Sequence, residues 1–403
     1  MTEFGADVRR DPAPDLAVPG DPVLIDRIRT EIEGGGPMTF ARFMELALYE
    51  PELGYYRTAE LRPGREGDFL TAPETHPIFG RALARQLDEL WRVLDRPARF
   101  VVREYGAGGG ALAETILGGL VAEGSPLLGA IGYQPVEVDE ARVATVRDRV
   151  ESSGFSGLVE DGASRPIVGC VLANEVLDAL PVHRVEWSGG RLREIYVGLT
   201  GQRFVDVLGP PSTPDLAERL ASEGVEFAEG QRGEVSLALD AWVESAAAGL
   251  ERGLLLLIDY GHPAADLYGP RRRAGTLLAY LRHRAHGNPY TSIGRQDLTA
   301  HVDLTAVSRA AIRAGLTPVG STTQAEFLVG LGIGDMLAEV QGDPATTLET
   351  YLPLRSAVMR LLDPGVTGSF RVLGFGRGLP PGVALRGFSY RLDRSRGAAG
   401  PAP

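Results

Sequence analysis

In "VVREYGAGGGALAETILGGL", Val101 to Leu120, a short apolar run is followed by Gly106, Gly108 and Gly110 and then by helix-forming residues. A strand, a glycine turn and a helix together present free backbone N–H groups and the positive end of a helix dipole to a charged ligand. Two cofactor classes use such a turn, the nicotinamide dinucleotides and S-adenosylmethionine; Gly106, Gly108 and Ala111 also satisfy the looser dinucleotide spacing G-x-G-x-x-A. Two acids separate the readings. Glu104 stands two residues ahead of the first glycine, where a carboxylate suits the ammonium of an amino acid and repels a pyrophosphate. Glu137, in "PVEVDE", ends the next apolar run, where an acid can accept both hydroxyls of a ribose. The second acid serves either cofactor and the first only one, so the residues favour S-adenosylmethionine. Asp161, after the following apolar stretch, is a candidate for the adenine amino group or a plain turn aspartate.

These residues need a frame that brings strand ends together, and the chain supplies an alternation. "RFVVREY", "GYQPVEV", "FSGLVE" and "IVGCVLAN" read as strands, with helices in "ALAETILGGLVAEG" and "DEARVATVRDRVESS". The last strand is a continuous apolar run suited to a buried parallel position. A doubly wound α/β sheet follows. Before it, "VLIDRIRTEIE", "TFARFMELALY" and "IFGRALARQLDELWRVL" have helical spacing, the last two flanking the polar loop "RPGREGDFLTAPETHP". After Pro181, "VHRVEWSGGRLREIYVGLTGQRFVDVLG" reads as strands joined by Gly-Gly and Thr-Gly turns, an antiparallel insertion. A helix is expected over "EVSLALDAWVESAAAGLE", then a strand over "GLLLLIDYG". Residues 262–290 have weaker periodicity and read as a mobile loop. Helices near 303–315 and 344–362 and strands near 317–322 and 369–375 complete the pattern.

Composition narrows the function. The 403 residues are 44% hydrophobic, enough for one large domain with insertions or for two domains, and carry a net charge of −12, without the basic footprint of a nucleic-acid binder. No lysine occurs, which excludes a Walker phosphate loop and Schiff-base catalysis. A single cysteine, Cys170, rules out a disulfide framework and points to the reducing cytosol. No apolar run is long enough for a membrane span, and the histidines lack metal-binding spacing.

Four stretches, "EGDFLTAPETHPIFG", "EYGAGGGAL", "NEVLDALPVH" and "IDYGH", in this order and at these separations, resemble the MidA-like family of class I methyltransferases over roughly residues 37 to 375. The resemblance implies a Rossmann-like class I methyltransferase sheet with a helical N-terminal cap and an antiparallel β insertion. It also implies S-adenosyl-L-methionine as donor and an arginine ω-nitrogen of a protein as acceptor, dimethylated symmetrically. The family includes a respiratory complex I assembly factor, so a complex I type subunit is one implied partner. Expected boundaries are a tail and short helix over 1–36, the cap over 37–97, the methyltransferase domain over 98–376 with insertions near 182–235 and 263–300, and a tail over 377–403.

Carried onto matching positions, the donor is expected against Glu104, Gly106, Gly108, Gly110, Glu137 and Asn174, with Asp68 and Thr71 reaching in from the cap loop beside Gly67 and Phe69. Glu175, Asp178 and Glu74 are the expected catalytic acids, and Asp259 is a further acidic candidate. Carboxylates can hold a guanidinium plane and aim one nitrogen at the methyl group. His183 and His262 read as structural in preference to catalytic. Ala107 and Gly109 stand where relatives carry proline and arginine, and Val176 and Leu177 where relatives often carry aromatics, so packing at the reacting centre differs. A dinucleotide oxidoreductase on the same turn, and a non-catalytic assembly factor retaining the fold, are the competing readings.

Overall fold

Ile167–Asn174 and Leu250–Asp259 are apolar almost throughout and sit side by side at the centre of the molecule, sealed on both faces, as buried parallel strands must be. The computed structural model describes residues 18–58, 76–160, 162, 165–282 and 284–392. Asp68, Thr71, Glu74 and Asp161 lie outside the described residues, as do Gly67 and Phe69.

The central sheet has six strands: β1 (Phe100–Tyr105), β2 (Ile131–Val136), β3 (Ile167–Asn174), β4 (Leu250–Asp259), β5 (Thr317–Thr323) and β6 (Arg371–Arg377). Their spatial order is β5-β6-β4-β3-β1-β2. β2, β1, β3 and β4 run parallel, whereas β6 is antiparallel to both neighbours. Helices Ile78–Val93 and Ala111–Ala122 cover one face through Phe79, Leu83, Leu87, Ile116 and Leu117. Helices Ala238–Ala248 and Leu304–Arg313 cover the other through Val243, Ala247, Val307 and Ala310. This is the expected α/β methyltransferase-type sheet, and it brings the carboxyl ends of β1, β2, β3 and β4 together at one edge, where such sheets bind ligands.

The antiparallel insertion is present. His183–Ser188, Arg191–Thr200, Arg203–Gly209 and Arg232–Val235 form one sheet, to which Met38–Thr39 adds a short edge. The helix expected from Glu234 starts at Ala238, because Arg232–Val235 pairs with His183–Glu186 instead. The insertion near 263–300, most of it expected as a loop, holds regular structure among its described residues: Leu278–Leu281, Arg284–His286 and Asp297–Thr299 make a three-stranded sheet. Leu277, Ala279, Ile293 and Leu298 pack there against helices Pro22–Gly35 and Phe40–Tyr49. Helix Ile78–Val93, by contrast, belongs to the core of the central sheet. "FSGLVE" does not form a strand; Val159 alone bridges to Tyr133, the segment being turned by Gly157 at a φ of 78°. Helices Gln324–Gly330 and Ile333–Gly342 were not anticipated, and beyond β6 the chain folds back to set Phe388 edge-on against Phe327 at 5.4 Å. Among the described residues no helix is long and apolar enough to cross a membrane.

Candidate active site

At the end of β1 the chain turns through Gly106, Gly108 and Gly110, with φ of 69°, 55° and 79°. Side-chain-bearing residues avoid this left-handed region. At Gly106 there is also no room, since a Cβ would lie 2.8 Å from Val176 Cγ2. Gly110 then starts helix Ala111–Ala122, and no side chain caps its first turn, so the free N–H groups and the dipole face a cavity of about 480 Å³. Glu104 and Glu137 line the same cavity. Glu104 is 3% exposed and accepts the hydroxyl of Tyr133 of β2 at 2.6 Å. Burial lifts its carboxyl to about 7, against the pull of that hydrogen bond. Glu137 accepts the Gly108 N–H, which ties the turn to the end of β2, and burial raises its carboxyl too.

The second wall is the turn after β3. Asn174 and Glu175 close the strand, with Asn174 Nδ2 donating to Glu175 Oε1 at 3.1 Å. Glu175 has a φ of 54°, a strained backbone for a residue with a side chain. The strain is held by Asp259 at the end of β4. Its Oδ2 accepts N–H groups from Val176, Leu177 and Asp178 at 3.2, 2.9 and 3.4 Å, and its Oδ1 accepts Tyr260 N–H at 2.8 Å. Both oxygens face backbone, so Asp259, expected as an acid toward the acceptor, positions the turn instead. Asp259→Asn would set an amide N–H against backbone donors in either orientation. It is expected to lower stability by about 2 kcal/mol, read in urea unfolding; an unchanged midpoint removes this role.

Asp178 is 6% exposed and lines the cavity. Tyr260 donates its hydroxyl to Oδ2, while Oδ1 has no hydrogen-bond partner among the described residues. Burial lifts this carboxyl to about 6, the tyrosine opposing the rise.

Cavity residues that the sequence did not single out include Tyr49, Tyr56, Asp297 and Thr299. Tyr260 was quoted in "IDYGH" but given no role. Tyr49 stacks on Tyr56 at 5.5 Å, and Tyr56 donates to Asp297 Oδ1 at 2.9 Å. The far end of the cavity is therefore acidic and walled by tyrosines. Neither histidine stands there. His183 Nδ1 pairs with buried Glu194 at 2.8 Å, and His262 lies against Arg272, which together with burial depresses it to about 4. The site thus brings together Glu104, Gly106, Gly108, Glu137, Asn174, Glu175 and Asp178.

Comparison with known proteins places this arrangement. A family model described as "Putative S-adenosyl-L-methionine-dependent methyltransferase" matches residues 82–322. The chain is 30% identical to the mitochondrial protein arginine methyltransferase NDUFAF7 homolog of Drosophila melanogaster, over 76% of this chain and 74% of that one. It is 29% identical to mitochondrial protein arginine methyltransferase NDUFAF7 of Rattus norvegicus, over 80% and 78%. Among solved structures, a Burkholderia thailandensis protein bound to S-adenosyl-homocysteine is 35% identical, with a TM-score of 0.84 over 93% of this chain and 96% of the other. With a family model matching more than half of its length, the chain belongs to this S-adenosyl-L-methionine-dependent methyltransferase family.

Proposed function

We propose that the chain transfers the methyl group of S-adenosyl-L-methionine to an ω-nitrogen of an arginine in a protein substrate, with symmetric dimethylation as the outcome. One observation carries the reading: a single cavity joins the glycine turn, flanked by Glu104 and Glu137, to an acidic far wall containing Glu175 and Asp178. Relatives named as protein arginine methyltransferases support the choice of acceptor.

The residues fit the donor. Glycine gives close backbone approach where a Cβ would strike Val176, buried Glu104 suits an ammonium, and Asn174 Oδ1 is buried without a partner among the described residues. Glu104 would hold the ammonium, the open helix end the carboxylate, and Glu137 the ribose hydroxyls. When bound, the donor supplies an electrophilic methyl group on a sulfonium. The protein's part is then position and charge. Glu175 and Asp178 would accept guanidinium N–H groups and aim one nitrogen along the transfer line. That nitrogen gains a methyl and sheds a proton, which Asp178 would take at Oδ1 while Tyr260 steadies Oδ2. Asp68, Thr71 and Glu74 would complete the site from the cap loop, and Asp161 would contact adenine. A complex I type subunit in the cytosol is the partner this reading puts forward.

The test is transfer of labelled methyl from S-adenosylmethionine to lysate proteins of cells lacking this gene. Label in methylarginine after acid hydrolysis is expected. Label in lysine, in small molecules only, or in nothing overturns the assignment. In thermal shift, S-adenosylhomocysteine is expected to raise the midpoint and NAD to leave it in place.

A further inference from the structure

Part of the cavity lining comes from a stretch with no sequence motif. Strand Asp297–Thr299 pairs antiparallel with Leu278–Leu281, and its side chains alternate. Leu298 is fully buried in the lobe formed with the N-terminal helices, whereas Asp297 and Thr299, two residues apart, both line the cavity. Thr299 is 3% exposed, and its hydroxyl has no hydrogen-bond partner among the described residues. Asp178 Oδ1, in the turn beside this strand, is in the same condition. Buried polar atoms left like this are costly unless a ligand meets them.

This strand and the turn after β3 are bound to each other. Asp297 Oδ1 accepts Tyr56 O–H at 2.9 Å and Leu298 N–H at 2.8 Å. Tyr56 stacks on Tyr49, whose hydroxyl donates to Ala179 O at 2.9 Å, within the turn that carries Glu175 and Asp178. Ala300 N–H donates to Asp178 O at 2.9 Å. The separation between Asp297 and the acids after β3 is thus held from both ends. Their fields overlap: the Tyr280 phenol is pushed up first by burial and then by Asp178, Asp297 and Glu175 together.

We propose that Asp297 is the specificity-determining residue of the acceptor pocket: with Thr299 it receives the N–H groups of the guanidinium nitrogen that does not react, leaving Glu175 and Asp178 to the one that does. The inference rests on the arginine reading above and deepens it. A guanidinium is a flat fork with five N–H donors and can meet two carboxylates held on adjoining elements at once. An ammonium is a compact point charge on a flexible stem, its donors all on one atom, with no fork to match a fixed pair of acids. Acids held at a fixed spacing by these hydrogen bonds therefore favour arginine over lysine.

The experiment titrates the S-adenosylhomocysteine complex with N-ethylguanidinium and separately with n-butylammonium, following line broadening of each probe by NMR. The unsubstituted protein is expected to prefer the guanidinium. In Asp297→Asn, the amide oxygen still accepts from Tyr56 and Leu298, so the folding midpoint and S-adenosylhomocysteine affinity stay in place. Guanidinium affinity falls about tenfold and the preference disappears. Thr299→Val shifts it the same way by about threefold. A preference unchanged in both variants, or a donor-loaded protein that takes neither cation, overturns the inference. Failure of the unsubstituted protein to bind S-adenosylhomocysteine strikes the donor reading instead, and labelled lysine in lysate the acceptor reading.

Discussion

Glu104→Gln is expected to weaken S-adenosylhomocysteine binding by about a hundredfold at pH 7.5, the loss of a buried ionic hydrogen bond, while making the unliganded protein more stable. The two effects share one cause. Glu104 is 3% exposed and burial lifts its carboxyl from 4.5 to about 7. The folded protein therefore binds a proton more tightly there than the unfolded chain does. Stability falls as pH rises from 4.5 to 7, and above 7 the ionised carboxylate costs roughly 3 kcal/mol. Glutamine carries no charge and its oxygen can still accept the Tyr133 hydroxyl. In urea at pH 8 the variant should unfold later than the parent; at pH 4.5 the two should converge. On the proposed assignment, the ligand's ammonium pairs with an ionised Glu104. Parent affinity should thus drop by up to tenfold per unit as pH falls from 7 to 5.5, and the variant should show no such slope. Equal affinities of the two proteins at pH 7.5 refute the assignment of Glu104 to the donor.

What could be read in advance follows from how local each signal is. The glycine turn is legible because conformation demands it: three left-handed backbone positions within five residues leave glycine as the unstrained choice. β3 and β4 are legible because burial on both faces forces unbroken apolar runs. Glu104 and Glu137 are legible by their place at strand ends. Asp259 was located correctly but given the wrong partner, since only the tertiary register sets its oxygens against the N–H groups of residues 176–178. The 263–300 segment hid its sheet for a related reason. Its strands are three or four residues long, too short for alternation to show, and they form only by packing on helices more than 200 residues earlier in the chain. Asp297 looks like any loop aspartate until Tyr56 is brought against it. Helix Ile78–Val93 was recognised by its period, but periodicity does not say which core it covers.

Asp178→Asn is expected to slow methyl transfer at saturating donor by about a thousandfold, the scale of losing a proton acceptor together with a charge on the acceptor cation. S-adenosylhomocysteine affinity should hold within about threefold. The sign of the pH profile follows from the carboxyl at about 6: it must be ionised to receive the proton, so the parent's rate should rise through that pH and level above it. The variant should lose this limb. Glu175 provides the companion comparison, because its backbone is strained at a φ of 54°. Glu175→Gly relieves that strain and should gain up to about 1 kcal/mol of stability, whereas Glu175→Gln keeps both strain and shape. Both should lose transfer in single-turnover measurements with labelled donor. A residue whose replacement by glycine stabilises the fold but stops the reaction is held in place for its side chain, not for its backbone. If the glycine variant were instead less stable and still active, Glu175 would belong to the scaffold, and the acceptor would have to be held by Asp178, Asp297 and the cap-loop acid Glu74.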